Sequence, residues 1–389
     1  MVEWLGRTAD PGRVHTEGRM VRAAIEGARE QVAELLGARP REVIFTSGAT
    51  EAVNAAVWGA RAAQQAGTVV CPPTEHSSVR DASLRAGNMT AVQVDRRGRV
   101  DLSSLQAVLG TGEPVTLVHC QSGNHEVGTL QPVAEVVAAC RSAGTRAASG
   151  RRDTAGATDT AGATGRAGSA AGGRMDGPLV HVDAAQAAGR VPVAFSELGA
   201  DLMSVSAHKF GGPPGTGALL VRRGLRLPPL LLGGDQERAR RAGMENVPAI
   251  VGFGAAAAEL CSGGRLATEA AEATRMTSAL LEAALGVPGV QAYGATAPAD
   301  RLPHIICVGV AGVEAEAVLL GLDQAGIAAH SGSACSSESL EPSPVLEAMG
   351  VDAERSLRLS VGWSTIDADI EAFAAVFPGV VARLRALAG

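Results

Sequence analysis

Lysine is nearly absent from this chain. Of its 34 basic side chains, 33 are arginines and one, Lys209, is a lysine. Long apolar runs are absent too: the longest, such as Leu230-Leu231-Leu232, are far too short to span a bilayer, so no membrane partner is expected. The N-terminus lacks the layout of a signal peptide. A net charge of −6 gives no sign of a nucleic-acid or anionic-membrane partner. The six cysteines, Cys71, Cys120, Cys140, Cys261, Cys307 and Cys335, have no paired spacing of the kind zinc sites show, so no metal is expected. The simplest reading is a reduced, cytoplasmic enzyme with free thiols. Alanine, glycine and arginine enrichment matches a GC-rich coding bias, so composition is discounted as a functional signal.

A lysine that survives such a bias does something arginine cannot. Arginine stays protonated, whereas a buried lysine can become a nucleophilic amine. That amine can form a Schiff base with a carbonyl, including the aldehyde of pyridoxal phosphate. Lys209 follows the apolar run Leu202 to Val205 and precedes Gly211-Gly212. It therefore sits just past a strand, where ligands bind in open α/β sheets.

Strands and helices alternate along the chain. Helical patterns cover Arg22 to Leu36, Glu51 to Ala63 and Val133 to Ala143. Strand patterns cover Val43 to Thr46, Thr68 to Cys71, Ala91 to Val94, Val115 to His119, Leu179 to Val182, Leu202 to Val205 and Ala218 to Val221. This predicts an α/β fold with a mainly parallel sheet and covering helices over 1–246. A smaller C-terminal α+β unit is expected over 247–389, with strands at His304 to Val310 and Leu357 to Val361. Thr145 to Gly177 has no apolar periodicity and carries a tandem repeat, Asp153 to Thr158 copied as Asp159 to Thr164. It is expected to be a disordered insertion.

Several further residues suit the same chemistry. The turn Thr46 to Glu51 joins a strand to a helix through small residues, presenting backbone N–H groups to an anion, with the Thr50 hydroxyl beside them. Asp183 could pair with a protonated pyridine nitrogen, although alone it reads as a helix N-cap. His76 could stack on a planar ring or be a polar loop histidine. Cys335, in Ser331-Gly332-Ser333-Ala334-Cys335-Ser336-Ser337, fits neither a core nor a disulfide pattern, and its thiolate could reach a bound substrate. Arg358 is a charge inside an apolar strand, which a substrate carboxylate or an internal salt bridge would satisfy.

Together these motifs resemble the cysteine desulfurases of the class V aminotransferase family. The matched segments run in family order: Phe45 to Asn54, Glu75-His76, Asn124 to Gln131, His181 to Gln186, Ser206 to Gly212, Gly233 to Gly243, Ser331 to Ser337 and Ser356 to Ser360. The resemblance implies a fold-type I, pyridoxal-phosphate-dependent homodimer. It implies Lys209 as the Schiff-base lysine, His76 stacked on the cofactor, and Asp183 and Gln186 on its pyridine nitrogen and ring hydroxyl. Ala49, Thr50, Ser206 and His208 would bind its phosphate, Asn124 and His125 would line it, and Arg358 would take the substrate carboxylate. Lys209 and His76 would carry protons. Cys335 would accept sulfur from L-cysteine, and the Ser-Gly-Ser-Ala-Cys loop resembles the long-loop group, which passes its persulfide to a separate acceptor protein.

The chain departs from the family at three places. His125 stands where a second asparagine is common, and Met244 where a threonine reaching the partner subunit's phosphate is common. An opening strand with an Ala-Thr-Thr-Pro-like turn is missing, and the match begins near Ala9 to Arg19; the expectation is that the coding sequence continues upstream of Met1. Two alternatives remain at this point. One is a selenocysteine lyase-like enzyme; the other is a cofactor-binding pseudoenzyme that scaffolds sulfur-carrier proteins.

Overall fold

A computed structural model of the protein describes residues 1–7, 9–64, 67–155, 177–331 and 342–388. Seven strands form the larger sheet: β1 (Val43–Thr46), β2 (Thr68–Val70), β3 (Met89–Thr90), β4 (Val115–Gln121), β5 (Leu179–Asp183), β6 (Leu202–Ser206) and β7 (Gly217–Val221). Their spatial order is β1-β7-β6-β5-β4-β2-β3, parallel from β6 to β3, with β7 antiparallel to both its neighbours. The central strands read as near-continuous apolar runs because both faces are covered. Helices Thr16–Leu35, Val133–Ala155 and Val247–Cys261 pack on one face, and Ala49–Gln64 and Ser77–Arg85 on the other.

The smaller sheet is antiparallel, in the order β10-β11-β9-β8, from β8 (Val290–Tyr293), β9 (Ile305–Val310), β10 (His330–Ser331) and β11 (Ser356–Ser360). Its core joins Val308 and Leu357 to Met276 and Leu280 of helix Arg265–Leu285 and to Phe373 and Phe377 of helix Asp367–Ala388. Helix Val247–Cys261, the expected start of the second unit, instead buries Val247, Ile250 and Phe253 in the core of the larger sheet. The stretch Val247–Leu285 is, by length and composition alone, apolar enough to cross a membrane. In the fold it breaks at Gly263 and Gly264, with φ of +55° and +74°, and its first half packs on helix Thr16–Leu35.

Other expectations need correction. The strand expected over Ala91 to Val94 is not formed; β3 is the earlier pair Met89–Thr90, and Val94 makes only an isolated bridge to Val100. The cause is a tight turn in which Asp95 Oδ1 accepts the N–H groups of Arg97 and Arg99. The first part of the expected disordered insertion is helical, since the helix from Val133 runs to Ala155. Alanine and arginine, strong helix formers, recur through this stretch. Residues 156–176 lie outside the described residues. β8 and β10 went unrecognised because they are short and partly exposed.

Glu237, Arg238 and Ala239 have φ of +46°, +59° and +59°, an unfavourable region for residues with a Cβ. Buried contacts hold them there. Glu237 accepts both guanidinium N–H groups of buried Arg29 at 2.7 Å, and the Phe45 N–H at 2.9 Å. Removing one partner of such a pair typically costs about 3–5 kcal/mol.

Candidate active site

One face of the three central strands changes character from bottom to top. In β4 it reads Leu117, His119, Gln121; in β5, Leu179, His181, Asp183; in β6, Leu202, Ser204, Ser206. The register sets His119 against His181 and Gln121 against Asp183. The apolar ends pack on helix Ala49–Gln64, and the polar ends open at the carboxyl edge of the sheet. A cleft of roughly 420 Å³ lies there, lined among others by Ala49, Thr50, His76, His125, Asp183, Gln186, Ser206, His208 and Lys209.

Lys209 sits in a short 3-10 turn, Ala207–Phe210, directly after β6. Gly211 closes the turn at φ +90°, where a Cβ would be strained. Arg190 steadies the turn by donating to the Lys209 carbonyl at 2.8 Å. Ser206 Oγ and His208 Nδ1 pair at 2.9 Å beside it, and burial together with Lys209 pushes the His208 imidazole below its ordinary pKa. Opposite stands the N-terminus of helix Ala49–Gln64, a 16-residue helix whose first N–H groups favour an anion. Gly217 of β7 runs against this turn so closely that a Cβ would meet Gly48 backbone at 2.8 Å.

Asp183 is 8% exposed. Its Oδ1 accepts from Ala185 N and Ser204 Oγ, and Oδ2 takes no hydrogen bond among the described residues. The N-cap-like bond to Ala185 and the outward oxygen coexist. His76 caps helix Ser77–Arg85, with Nδ1 accepting the Ser78 N–H at 3.1 Å. The ring proton is therefore on Nε2. His76 and His125 meet edge to face, 5.1 Å between centroids.

Asn124 does not line the cleft. Its side chain is spent on Thr74 O and on the N–H groups of Glu126 and Val127, so it shapes the turn that presents His125. Arg358 is half-buried in β11, on the face opposite Leu357 and Leu359, and donates to the His125 carbonyl at 3.2 Å. No carboxylate pairs with it among the described residues, so the internal salt bridge is not formed there. Cys335 lies outside the described residues. Ser331, four residues before it, pairs with Leu357, next to Arg358. None of the five described cysteines lines the cleft, and burial pushes the thiols of Cys71, Cys120, Cys140 and Cys307 up. Met244 is 66% exposed.

Several site groups escaped the sequence reading. Glu75 is fully buried, accepts the Gln121 N–H at 2.7 Å, and is pushed up to about 8 by burial and by Asp183. His119 and His181 share one hydrogen bond at 2.9 Å between their Nδ1 atoms, and burial lowers both; His181 falls to about 4. His304 stands just before β9, its Nε2 3.3 Å from Gln186 Oε1. The available signal was alternation: each of these histidines breaks an apolar run at a strand or strand edge.

The class-V aminotransferase family model matches residues 4–148 and 170–373. The chain belongs to this family. Among curated relatives, a cysteine desulfurase of Nostoc sp. is 38% identical over 97% of this chain and 87% of its own length. Cysteine desulfurase IscS 1 of Archaeoglobus fulgidus is 35% identical, covering 97% and 91%, and an IscS-like cysteine desulfurase of Mycobacterium tuberculosis 37%, covering 96% and 89%. A solved NifS-like protein superposes with a TM-score of 0.82 at 27% identity, covering 98% of this chain and 94% of that one. The family implies pyridoxal phosphate, and the cleft of this class-V member fits it. A helix N-terminus suits the phosphate, the open Asp183 oxygen suits a protonated ring nitrogen, and Lys209 lines the same cleft.

Proposed function

We propose that the protein is a cysteine desulfurase that uses pyridoxal phosphate to convert L-cysteine to L-alanine. The sulfur atom passes to Cys335 as a persulfide and then to an acceptor protein, in a pathway such as iron–sulfur cluster assembly. The carrying observation is the sole lysine of the chain, placed in the same cleft as Asp183 and a helix N-terminus. The named activity of three relatives matched along nearly their whole length supports the same reading.

Each residue has work suited to its place. The helix start at Ala49 and Thr50, with Ser206 and His208, holds the cofactor's phosphate. Asp183 holds the ring nitrogen, and Arg358 orients the substrate carboxylate. Bound there, the cofactor supplies an electron sink for the substrate's α-carbon. Lys209 Nζ and His76 Nε2 move the protons. The Cys335 thiolate attacks the substrate sulfur, whose bond to the β-carbon breaks; the β-carbon gains a proton, so cysteine plus thiol gives alanine plus persulfide. A homodimer in the cytoplasm is the setting this reading assumes.

The test is an assay of alanine and protein-bound persulfide from L-cysteine. Wild type should form both in equal amounts, and Cys335→Ala should bind the cofactor yet form no persulfide. Wild type that binds the cofactor and releases no alanine would instead favour a scaffold.

A further inference from the structure

His304 is 7% exposed, and its Nε2 lies 3.3 Å from Gln186 Oε1, long for a hydrogen bond of this kind. An amide oxygen only accepts, so Nε2 carries the proton and Nδ1 is bare. Nδ1 is buried without a partner among the described residues. The charged surroundings favour that tautomer. Arg190, Lys209 and Arg358 all act on the ring, and a bare lone pair sits better among cations than an N–H dipole does. Burial and these three cations push the ring down to about 3, so it is neutral at physiological pH. With its oxygen held from behind, the Gln186 amide has only its –NH2 end left for the cleft it lines.

We propose that His304 is a positioning residue: it locks the Gln186 side chain with its –NH2 turned into the cleft, making Gln186 a hydrogen-bond donor to an oxyanion bound beside Lys209. This rests on the reading of the cleft as a pyridoxal-phosphate site, whose ring oxygen would be that anion. His304 does not touch the cofactor itself; it decides which end of an ambivalent amide does.

The experiment measures cofactor affinity on the full chain by equilibrium dialysis, together with the ring tautomer by ¹⁵N NMR of the cofactor-free protein. His304→Leu keeps bulk and removes the donor, and should weaken binding about fivefold. His304→Asn restores an N–H donor and should bind within about twofold of wild type. Gln186→Leu should lose about as much as His304→Leu, and the double variant no more than either, because both remove one contact. NMR should show Nε2 protonated and Nδ1 bare. Equal binding by His304→Leu and wild type, losses that multiply in the double variant, or a proton on Nδ1 each overturn the inference while leaving the cofactor site intact. The NMR result decides the matter even if His304→Leu does not fold. A wild-type protein that binds no cofactor overturns the reading of the cleft and the inference together.

Discussion

On the side of the cleft built by β4 and β5, two carboxyl groups, Glu75 and Asp183, are buried close enough to interact. On the side where β9 and β11 meet the larger sheet, Arg190, Lys209 and Arg358 surround a single imidazole, His304. Both sides crowd like charge in a place of low polarity, and both relieve it in the same way. On the acidic side Glu75 keeps its proton, with its pKa pushed up to about 8 by burial and by Asp183. On the cationic side His304 sheds its proton, pushed down to about 3. Asp183 on one side and Arg358 on the other, each beside one of these groups, are the residues to which the proposed reading gives a ligand group of opposite sign.

The hardest test of this division is at Lys209. Lys209→Arg keeps the cationic side cationic and removes only the amine. If charge were its whole contribution, activity would survive. The expected outcome is a fall in alanine production of at least about a thousandfold, and borohydride should fix the cofactor to the Lys209 peptide in wild type but not in the variant. Next is Arg358. Arg358→Leu should raise KM for L-cysteine about a hundredfold with kcat much less affected, and Arg358→Lys should recover part of the loss. A kcat that fell while KM held would move Arg358 from carboxylate binding to the chemical step.

A smaller effect separates the two sides by pH. Glu75 has its pKa raised in the fold, so its contribution to stability is full below the unfolded value and is lost as pH rises through about 8. His304 and His181 are depressed to about 3 and about 4; the unfolded chain binds more protons than the fold below about 6.5, so stability is lost as pH falls from there. Denaturant unfolding of the cofactor-free protein should therefore show a stability maximum between these limbs. Glu75→Gln should remove the alkaline loss, about 2 kcal/mol between about pH 6.5 and 8, and steepen the acid limb between about pH 4.5 and 6.5, where Glu75 and the histidines act in opposite directions. The smallest change is expected away from both sides. Replacing residues 156–176, whose one large apolar side chain is Met175, by a short Gly–Ser linker should leave cofactor binding unchanged and shift Tm by no more than about 2 °C.

How much of this was legible in the sequence varies by element. Fully buried strands of the larger sheet such as Val43–Thr46, Leu179–Asp183 and Leu202–Ser206 announce themselves as apolar runs, because both of their faces are covered. The antiparallel edge strands β8 and β10 do not, since each is partly exposed and too short for a period to show. Lys209 stood out through a compositional bias that removed every other lysine. Arg358 stood out as a charge inside an apolar strand, and the structure explains it by a sheet with Leu357 and Leu359 on the small core and Arg358 on the other face, donating to the His125 carbonyl.

By itself the sequence determined the elements, the α/β class and the reactive side chains, because local periodicity and residue chemistry are properties of a short stretch of chain. Only the tertiary structure decided which of those side chains work as partners. His304 and Gln186 are 118 residues apart, Glu75 and Gln121 46 apart, and Arg358 and His125 233 apart. A pKa, a tautomer or a carboxylate's free oxygen depends on what a group meets across such distances. Thus Asn124 turned out to hold a turn, and Glu75 and His304 to set the charge of the cleft, for a physical reason: desolvation and Coulomb fields act through space, not along the chain.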